Sequence, residues 1–461
     1  MYSGDRDSLT ICAVSTPPGR GGISVIRVSG PLAGSMLTKT LRPAPFNLTS
    51  HKSYYGHFVN PEIGQPVDEV LISFFQKGRS FTGDEVIEIS CHGNPLICDE
   101  ILATLSLLGC HSALPGEFTY RAFMNDRIDL VQAEAVLGVI EGRSQKGVQK
   151  ALRYLGGELS SRISLLSGEL TKVLAHVEAS IDFSSEGLET LSAADLRLRL
   201  AGFLGEIEAL VSGYDRGRGL KDGFHGLFCG APNVGKSSLF NLMVGEERSI
   251  VTDTAGTTRD VVEGEAFYNG SRFCLFDTAG LRSETLDQIE ILGQDRVWKH
   301  LPRMDFAFYV VNKTAELSLE DIENIQKILH LKIPLMILRN KLDHGPFRET
   351  QESVAGSFVP VLQSSARNPA FRDFLWSSLE SHLRLANVED EALVFSARQR
   401  ESLTIAAKAL KEALQMADEK LGSEFLALPL MEALKSLHEL LGMEFDDAVM
   451  DRVFQEFCLG K

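Results

Sequence analysis

The sequence predicts a multidomain protein: an α+β N-terminal domain, an α-helical bundle domain, and an α/β domain inserted into the helical part. Three observations predict it. The length, 461 residues, exceeds what one hydrophobic core ordinarily fills. The texture of the chain changes from short apolar segments broken by Gly and Pro, to apolar residues at intervals of three and four, to strand–loop–helix alternation, and back to helical spacing. A phosphate-loop pattern lies within the alternating stretch.

Residues 1–128 carry the α+β texture, with Ile23–Val28, Val70–Phe75 and Val86–Ile89 reading as strands separated by turns. Residues 129–217 read as helical. There Leu152, Leu155, Leu159, Ile163, Leu166, Leu170, Val173, Val177 and Ile181 form the stripe of an amphipathic helix. A plain bundle with no chemistry accounts for that stripe. Residues 218–384 alternate, and Phe224–Cys229, Arg272–Phe276, Phe306–Val311 and Pro334–Leu338 read as buried strands of a doubly wound sheet. Residues 385–461 resume the helical spacing at Leu403, Leu410, Leu414, Leu434, Leu437 and Leu441. Texture alone does not establish that the two helical stretches pack together.

Composition narrows the class. With 44% hydrophobic and 23% charged residues the chain reads as an ordinary soluble globular protein. No apolar run has the length to span a bilayer. The opening residues include Asp5, Arg6 and Asp7, so no signal peptide is visible and a cytoplasmic location is expected. Seven scattered cysteines without a C-x-x-C pair argue against a zinc site or a disulfide framework. A net charge of −16 gives no support for broad, non-specific nucleic-acid binding. Any RNA contact must use a local basic site or a partner.

After the strand ending at Cys229 comes Gly230-Ala-Pro-Asn-Val-Gly-Lys-Ser237, the G-x-x-x-x-G-K-S pattern in a strand-to-helix context. Glycines let successive backbone N–H groups and a helix N-terminus face phosphate oxygens. Lys236 is expected to reach the β- and γ-phosphates and Ser237 to ligate Mg²⁺. Asp277-Thr-Ala-Gly280 follows the next strand, where a carboxylate acts on Mg²⁺ through water and an N–H meets the γ-phosphate. Asn340-Lys-Leu-Asp343 supplies a carboxylate that accepts from guanine N1–H and its exocyclic amine, a pair adenine does not offer. Ser365-Ala-Arg367 adds backbone contacts to the guanine oxygen, and Thr258 is the switch-loop Mg²⁺ ligand.

Order and spacing together predict a Ras-like P-loop G domain. Its nucleotide-binding set is Asn233, Val234, Gly235, Lys236, Ser237 and Ser238, with Thr252, Asp253, Thr254, Ala255, Gly256, Thr257 and Thr258. Asp277, Thr278, Ala279, Gly280, Asn340, Lys341, Asp343, Ser365, Ala366 and Arg367 complete it. Leu281 stands where many G proteins place a water-orienting Gln. Catalysis must then draw on another group. Asn233 and the segment from Thr252 to Thr258 could hold a monovalent cation against the β- and γ-phosphates; Asn233 is otherwise an ordinary loop residue.

Further motifs lie outside the G domain. They include Thr16-Pro-Pro-Gly-Arg-Gly-Gly22, Ile26-Arg-Val-Ser-Gly30, Phe81-Thr-Gly-Asp-Glu85 with Glu88, Cys91-His-Gly93 and Pro115-Gly-Glu-Phe118. Arg121-Ala-Phe-Met-Asn-Asp-Arg127, Asp129-Leu-Val-Gln-Ala-Glu134 and the terminal Phe457-Cys-Leu-Gly-Lys461 follow. With these flanks the chain resembles the MnmE/TrmE family of transfer RNA modification GTPases over nearly its whole length. Related ribosome-assembly GTPases share the G motifs but lack the flanks.

The resemblance implies an N-terminal domain that dimerises and binds a 5-formyl- or methylene-tetrahydrofolate, with Arg27, Glu88, Arg127 and Lys461 contacting the folate. Glu88 suits the pterin amine and the cations suit the glutamate tail. Arg127 stands where Lys is expected, which keeps the charge and changes the donor geometry. The family also implies K⁺-stimulated G-domain dimerisation, with Asn233, Thr252, Thr254 and Thr257 around the ion. Ile289-Glu-Ile-Leu-Gly293 matches the family segment that carries a water-positioning acid, making Glu290 the catalytic candidate. Cys458 is a candidate for covalent or acid–base chemistry, set against a free thiol in a terminal tail.

The family reading is a homodimeric GTP hydrolase that partners a flavin-dependent MnmG/GidA-type protein in a heterotetramer. The pair adds an aminomethyl or carboxymethylaminomethyl group to carbon 5 of the wobble uridine, U34, of certain tRNAs. Folate supplies the one-carbon unit, with ammonium or glycine as the nitrogen donor. Two alternatives belong to other classes. A ribosome-assembly GTPase switch predicts ribosome association without folate affinity. A one-carbon transferase acting on protein or a small molecule predicts folate binding without a tRNA defect.

Overall fold

The computed structural model describes residues 6, 8–182, 192–245, 262–277, 301–312, 316–342, 347–385, 391, 394–419, 421–444, 450, 453–455, 457 and 460. The chain divides into two compact units. The first comprises Met1–Leu137, Tyr154–Arg197 and Glu412–Lys461; the second comprises Gly138–Arg153 and Leu198–Lys411.

In the first unit, β1 (Ile11–Val14), β2 (Gly21–Ser29), β3 (Leu41–Arg42), β4 (Lys52–Val59), β5 (Pro66–Phe75), β6 (Val86–Gly93) and β7 (His111–Ser112) form one sheet in the order β3-β4-β5-β6-β2-β1-β7. All of its pairings are antiparallel except β1 with β7. Helices Ala33–Thr40 and Pro95–Leu107 pack on one face, where Met36, Leu37, Ile101 and Leu105 bury Ile26, Val28, Ile72, Ile87 and Ile89. Asn94 starts the second helix, its side chain accepting from Leu96 N–H at 3.1 Å with Pro95 in the first turn. The period of two along a strand turns Arg27 and Glu88 to the opposite face, directly across from one another.

The two helical stretches of the sequence do pack together. Helix Glu158–Asp182 lies against Ser423–Leu441, burying Ile163, Leu166, Leu170, Val173 and Val177 on one side and Leu426, Leu430 and Leu437 on the other. Ser180 Oγ and Ser423 Oγ meet at 2.9 Å near one end of the pair. The stripe from Leu152 to Ile181 is not one helix. Gly157 takes φ +90° and separates Gln145–Leu155 from Glu158–Asp182, and Leu152 is 51% exposed. The left-handed conformation stops the first helix at low steric cost because glycine has no Cβ.

The second unit holds the sheet β13-β14-β12-β11-β8-β10-β9. Its strands are β8 (Phe224–Cys229), β9 (Val262–Tyr268), β10 (Ser271–Asp277), β11 (Phe306–Asn312), β12 (Leu335–Asn340), β13 (Glu349–Val354) and β14 (Ser357–Gln363). The inner five are parallel and the edge strands β9 and β13 are antiparallel. Phe306 to Val311 are all buried, as expected of a strand covered on both faces. The ring of Phe306 fills the space over Gly226 of the neighbouring strand, where an added methyl would sit 2.0 Å from it. Phe228, Phe273, Phe308 and Trp376 continue this aromatic core, with Phe228 and Phe308 centroids 4.9 Å apart. Helix Leu319–His330 begins with a capping box in which Ser318 and Asp321 satisfy each other's backbone N–H. Among the described residues, no helix is long and apolar enough to cross a membrane. The six described cysteines are free and buried.

Candidate nucleotide and folate sites

Strand β8 runs into a loop whose backbone only small residues allow. Gly230 has φ +129°, and a methyl there would lie 2.2 Å from Val310 O. Asn233 has φ +59° and Gly235 φ +100°, and Gly235 caps helix Lys236–Val244. The first-turn N–H groups of this helix have no intrahelical acceptor, and its dipole favours an anion there. Ser237 and Ser238 stand exposed in that turn. Lys236 lies back across the loop and donates to Gly230 O at 2.9 Å and Ala231 O at 2.7 Å. Its ammonium is thus held within the loop, on the loop's own carbonyls. Beneath the loop, burial pushes the Cys229 thiol up to about 12, so it stays neutral.

Two further segments converge on this loop. Asn340, buried at the end of β12, donates from Nδ2 to Val234 O at 2.9 Å and accepts at Oδ1 from Ala366 N–H at 3.3 Å. Lys341, at φ +70°, donates from Nζ to Asn233 O at 2.9 Å. Leu342 N–H donates to Ser364 O at 3.0 Å, which aligns the loops after β12 and β14. Ser365 is buried while Arg367 is exposed. Asp277 ends β10, is 4% exposed, and is paired in parallel register with Phe228, two residues before Gly230. The phosphate loop, the Asp277 strand end and the Asn340 and Ser365 segments therefore share one end of the sheet. Thr252, Asp253, Thr254, Ala255, Gly256, Thr257, Thr258, Thr278, Ala279, Gly280, Glu290 and Asp343 lie outside the described residues.

In the first unit, Arg27 donates to Glu88 Oε1 from Nε at 3.0 Å and Nη2 at 2.8 Å, with its guanidinium 5.6 Å from the Phe118 ring centroid. The pair is partly exposed, so a ligand can reach both groups. The chain terminus comes to the neighbouring strand. Gly460, at φ +88°, packs on Val14, and its carbonyl accepts from Ser15 Oγ at 3.0 Å. Val14 is paired with Ile26, the residue before Arg27. Phe454 and Phe457 close on Gly116, where a methyl would lie 2.6 Å from Phe454 O. Arg127 is exposed on the turn after helix Glu117–Met124. Cys458 and Lys461 lie outside the described residues. Sequence reasoning did not single out Phe118 or Ser15, although both adjoin or belong to the quoted motifs.

A parallel sheet with this phosphate loop, and an Asn-Lys segment hydrogen-bonded to it, defines a P-loop guanine-nucleotide-binding protein. The family model described as GTP-binding protein TrmE N-terminus matches residues 10–127, and that of the MnmE helical domain matches residues 130–458. The chain is 44% identical to the tRNA modification GTPase MnmE of Bdellovibrio bacteriovorus, over 100% of this chain and 99% of that protein. It is 37% identical to that of Moorella thermoacetica, over 98% and 99%. Among solved structures, the G domain of the T. maritima FeoB iron transporter is 25% identical, covering 26% of this chain and 73% of that one, with a TM-score of 0.21. The chain belongs to the MnmE/TrmE family of tRNA modification GTPases, and it is a GTP-hydrolysing enzyme.

Proposed function

We propose that this GTPase acts in the modification of tRNA, adding an aminomethyl or carboxymethylaminomethyl group to C5 of U34 together with a flavin-dependent MnmG/GidA-type partner. The observation that carries the reading is the full-length likeness to MnmE proteins, with the Arg27–Glu88 pair and the terminal Gly460 sharing one corner of the first unit's sheet. In this reading the protein is a cytoplasmic homodimer, with residues 1–128 binding folate, 129–217 and 385–461 forming the helical domain, and 218–384 the G domain.

Mg²⁺ is assigned to Ser237 and Thr258, and K⁺ to Asn233, Thr252, Thr254 and Thr257. The donor chemistry of Ser237, a hydroxyl exposed in the helix's first turn, fits a hard cation. Mg²⁺ supplies charge neutralisation on the β- and γ-oxygens. Lys236 exchanges its loop carbonyls for phosphate oxygens, Glu290 positions the attacking water, and Asp343 reads guanine. Folate is assigned to Arg27, Glu88, Arg127 and Lys461, and Cys458 is assigned covalent or acid–base chemistry. Glu88 accepts from the pterin while the cations hold the tail.

Reconstitution tests the reading. The purified chain, a flavin-dependent partner, unmodified tRNA, GTP, K⁺, methylene-tetrahydrofolate and ammonium or glycine should yield 5-substituted uridine, and omission of folate or GTP should abolish it. Product formed without either would contradict the reading.

A further inference from the structure

The nucleotide site and helix Gln145–Leu155 are joined by one hairpin. Strand β9 begins at Val262, four residues after Thr258, and β10 ends at Asp277. Between them Tyr268 pairs with Ser271 across a two-residue Asn269-Gly270 turn, with φ +46° and +76°. Both positive values suit the tight turn that matches strand twist, so the hairpin is stiff and its register fixed. Its open end thus leads into the two segments assigned to the γ-phosphate and Mg²⁺, and its closed end points away from them.

At the closed end the turn is gripped from two sides. Gly270 O accepts from Lys146 N–H at 3.0 Å, filling one of the first-turn N–H groups of helix Gln145–Leu155 that has no intrahelical acceptor. Gly270 also packs close to the stem of Lys146, where an added methyl would lie 3.2 Å from Cγ. Asn269 Nδ2 donates to Glu380 Oε1 at 2.7 Å, and the same oxygen is 3.4 Å from Lys146 Nζ. Lys146 is 9% and Glu380 15% exposed, so this ion pair is screened far less than a surface pair. Arg272, one residue past the turn-closing Ser271, donates to Asp222 O at 2.7 Å and so ties β10 to the preceding helix Tyr214–Asp222.

We propose that the β9–β10 hairpin transmits the nucleotide state to helix Gln145–Leu155, with Glu380 as the positioning residue that holds the turn against Lys146. The proposal rests on the assignment of Thr258 and Asp277 to the nucleotide. Rearrangement of the γ-phosphate segments shifts the open end of the hairpin, and the fixed register carries that shift to Gly270. The Lys146 amide follows because it donates to Gly270 O, and the Lys146 ammonium follows through Glu380, whose Oε1 also accepts from Asn269.

Hydrogen–deuterium exchange of the full chain, with GDP against a non-hydrolysable GTP analogue in Mg²⁺ and K⁺, reads this directly. In the native chain, amides in 145–150 and in 230–238 should both change exchange by about threefold or more between nucleotides. In Glu380→Ala and in Lys146→Met the response at 145–150 should disappear while that at 230–238 persists, and Lys146→Arg should restore it. A native chain responding at 230–238 but not at 145–150, or variants with an unaltered response at 145–150, would overturn the proposal. No response at 230–238 in the native chain would instead remove the nucleotide assignment, and the hairpin's role with it.

Discussion

The carboxamide of Asn340 donates to the carbonyl of Val234 at 2.9 Å, so the end of strand β12 is tied to the phosphate loop by one buried side chain. The same side chain accepts from Ala366 N–H, placing three separate segments under one residue.

Asn340→Ala leaves a buried carbonyl and an amide without that partner. Unmet buried polar groups cost about 1–3 kcal/mol each. The variant should melt at lower temperature and bind GTP at least about tenfold more weakly. Calorimetric melting and nucleotide titration check both, and native GTP affinity would contradict the bridging role.

Gly235→Ala should be harmful for two reasons. The residue has φ +100°, and a methyl there would lie 2.2 Å from Asn340 Nδ2. Holding a non-glycine residue in such a region costs about 1–3 kcal/mol before any clash. The expected outcome is a destabilised G domain with nucleotide binding lost, measured by denaturant midpoint and GTP titration.

Glu88→Gln keeps the size of the side chain and removes the charge paired with Arg27. If this face binds folate, affinity for 5-formyl-tetrahydrofolate should drop about tenfold or more in equilibrium binding. GTP hydrolysis by the same preparation should stay near the native rate. Unchanged folate affinity would move the pterin contact elsewhere.

The base of the sheet in the second unit contributes a pH dependence. His225 Nδ1 is 3.5 Å from Asp305 Oδ2, and Asp305 also takes an ion pair from Arg218. The Asp305 carboxylate, then the Cys274 thiol, push His225 up to about 9 against the opposing effect of burial. The folded value lies above the unfolded value of about 6.5. The resulting stabilisation is therefore complete below about pH 6.5 and is lost as pH rises through about 9. Urea midpoints between pH 6 and 9.5 should fall with pH in the native chain, and His225→Gln should flatten that fall. An equal slope in both would assign it to other groups.

The parts of the fold most legible in the sequence are those buried on both faces. Phe306–Val311 and Pro334–Leu338 read as strands because every position is apolar. The edge strands did not, since Glu349–Val354 is mostly polar and Val262–Tyr268 alternates Glu and Gly with apolar residues. Their signals were the turns, Asn269-Gly270 and Ala355-Gly356, rather than the strands themselves. Apolar spacing also ran straight through Gly157, because periodicity does not register one residue in a left-handed conformation. Of the sites, the phosphate loop was legible from local pattern. The Asn340 bridge was not, and neither was the contact between Ser15 and Gly460, which joins residues 445 positions apart. Such contacts are fixed by tertiary packing, which no local spacing encodes.

The most direct test of the central claim is mass spectrometry of wobble nucleosides in tRNA from cells depleted of this protein. The expected result is loss of the 5-aminomethyl-type uridines, restored by the native chain but not by Asp277→Ala. Unchanged nucleosides after depletion, or full restoration by Asp277→Ala, would contradict a GTP-dependent role in tRNA modification.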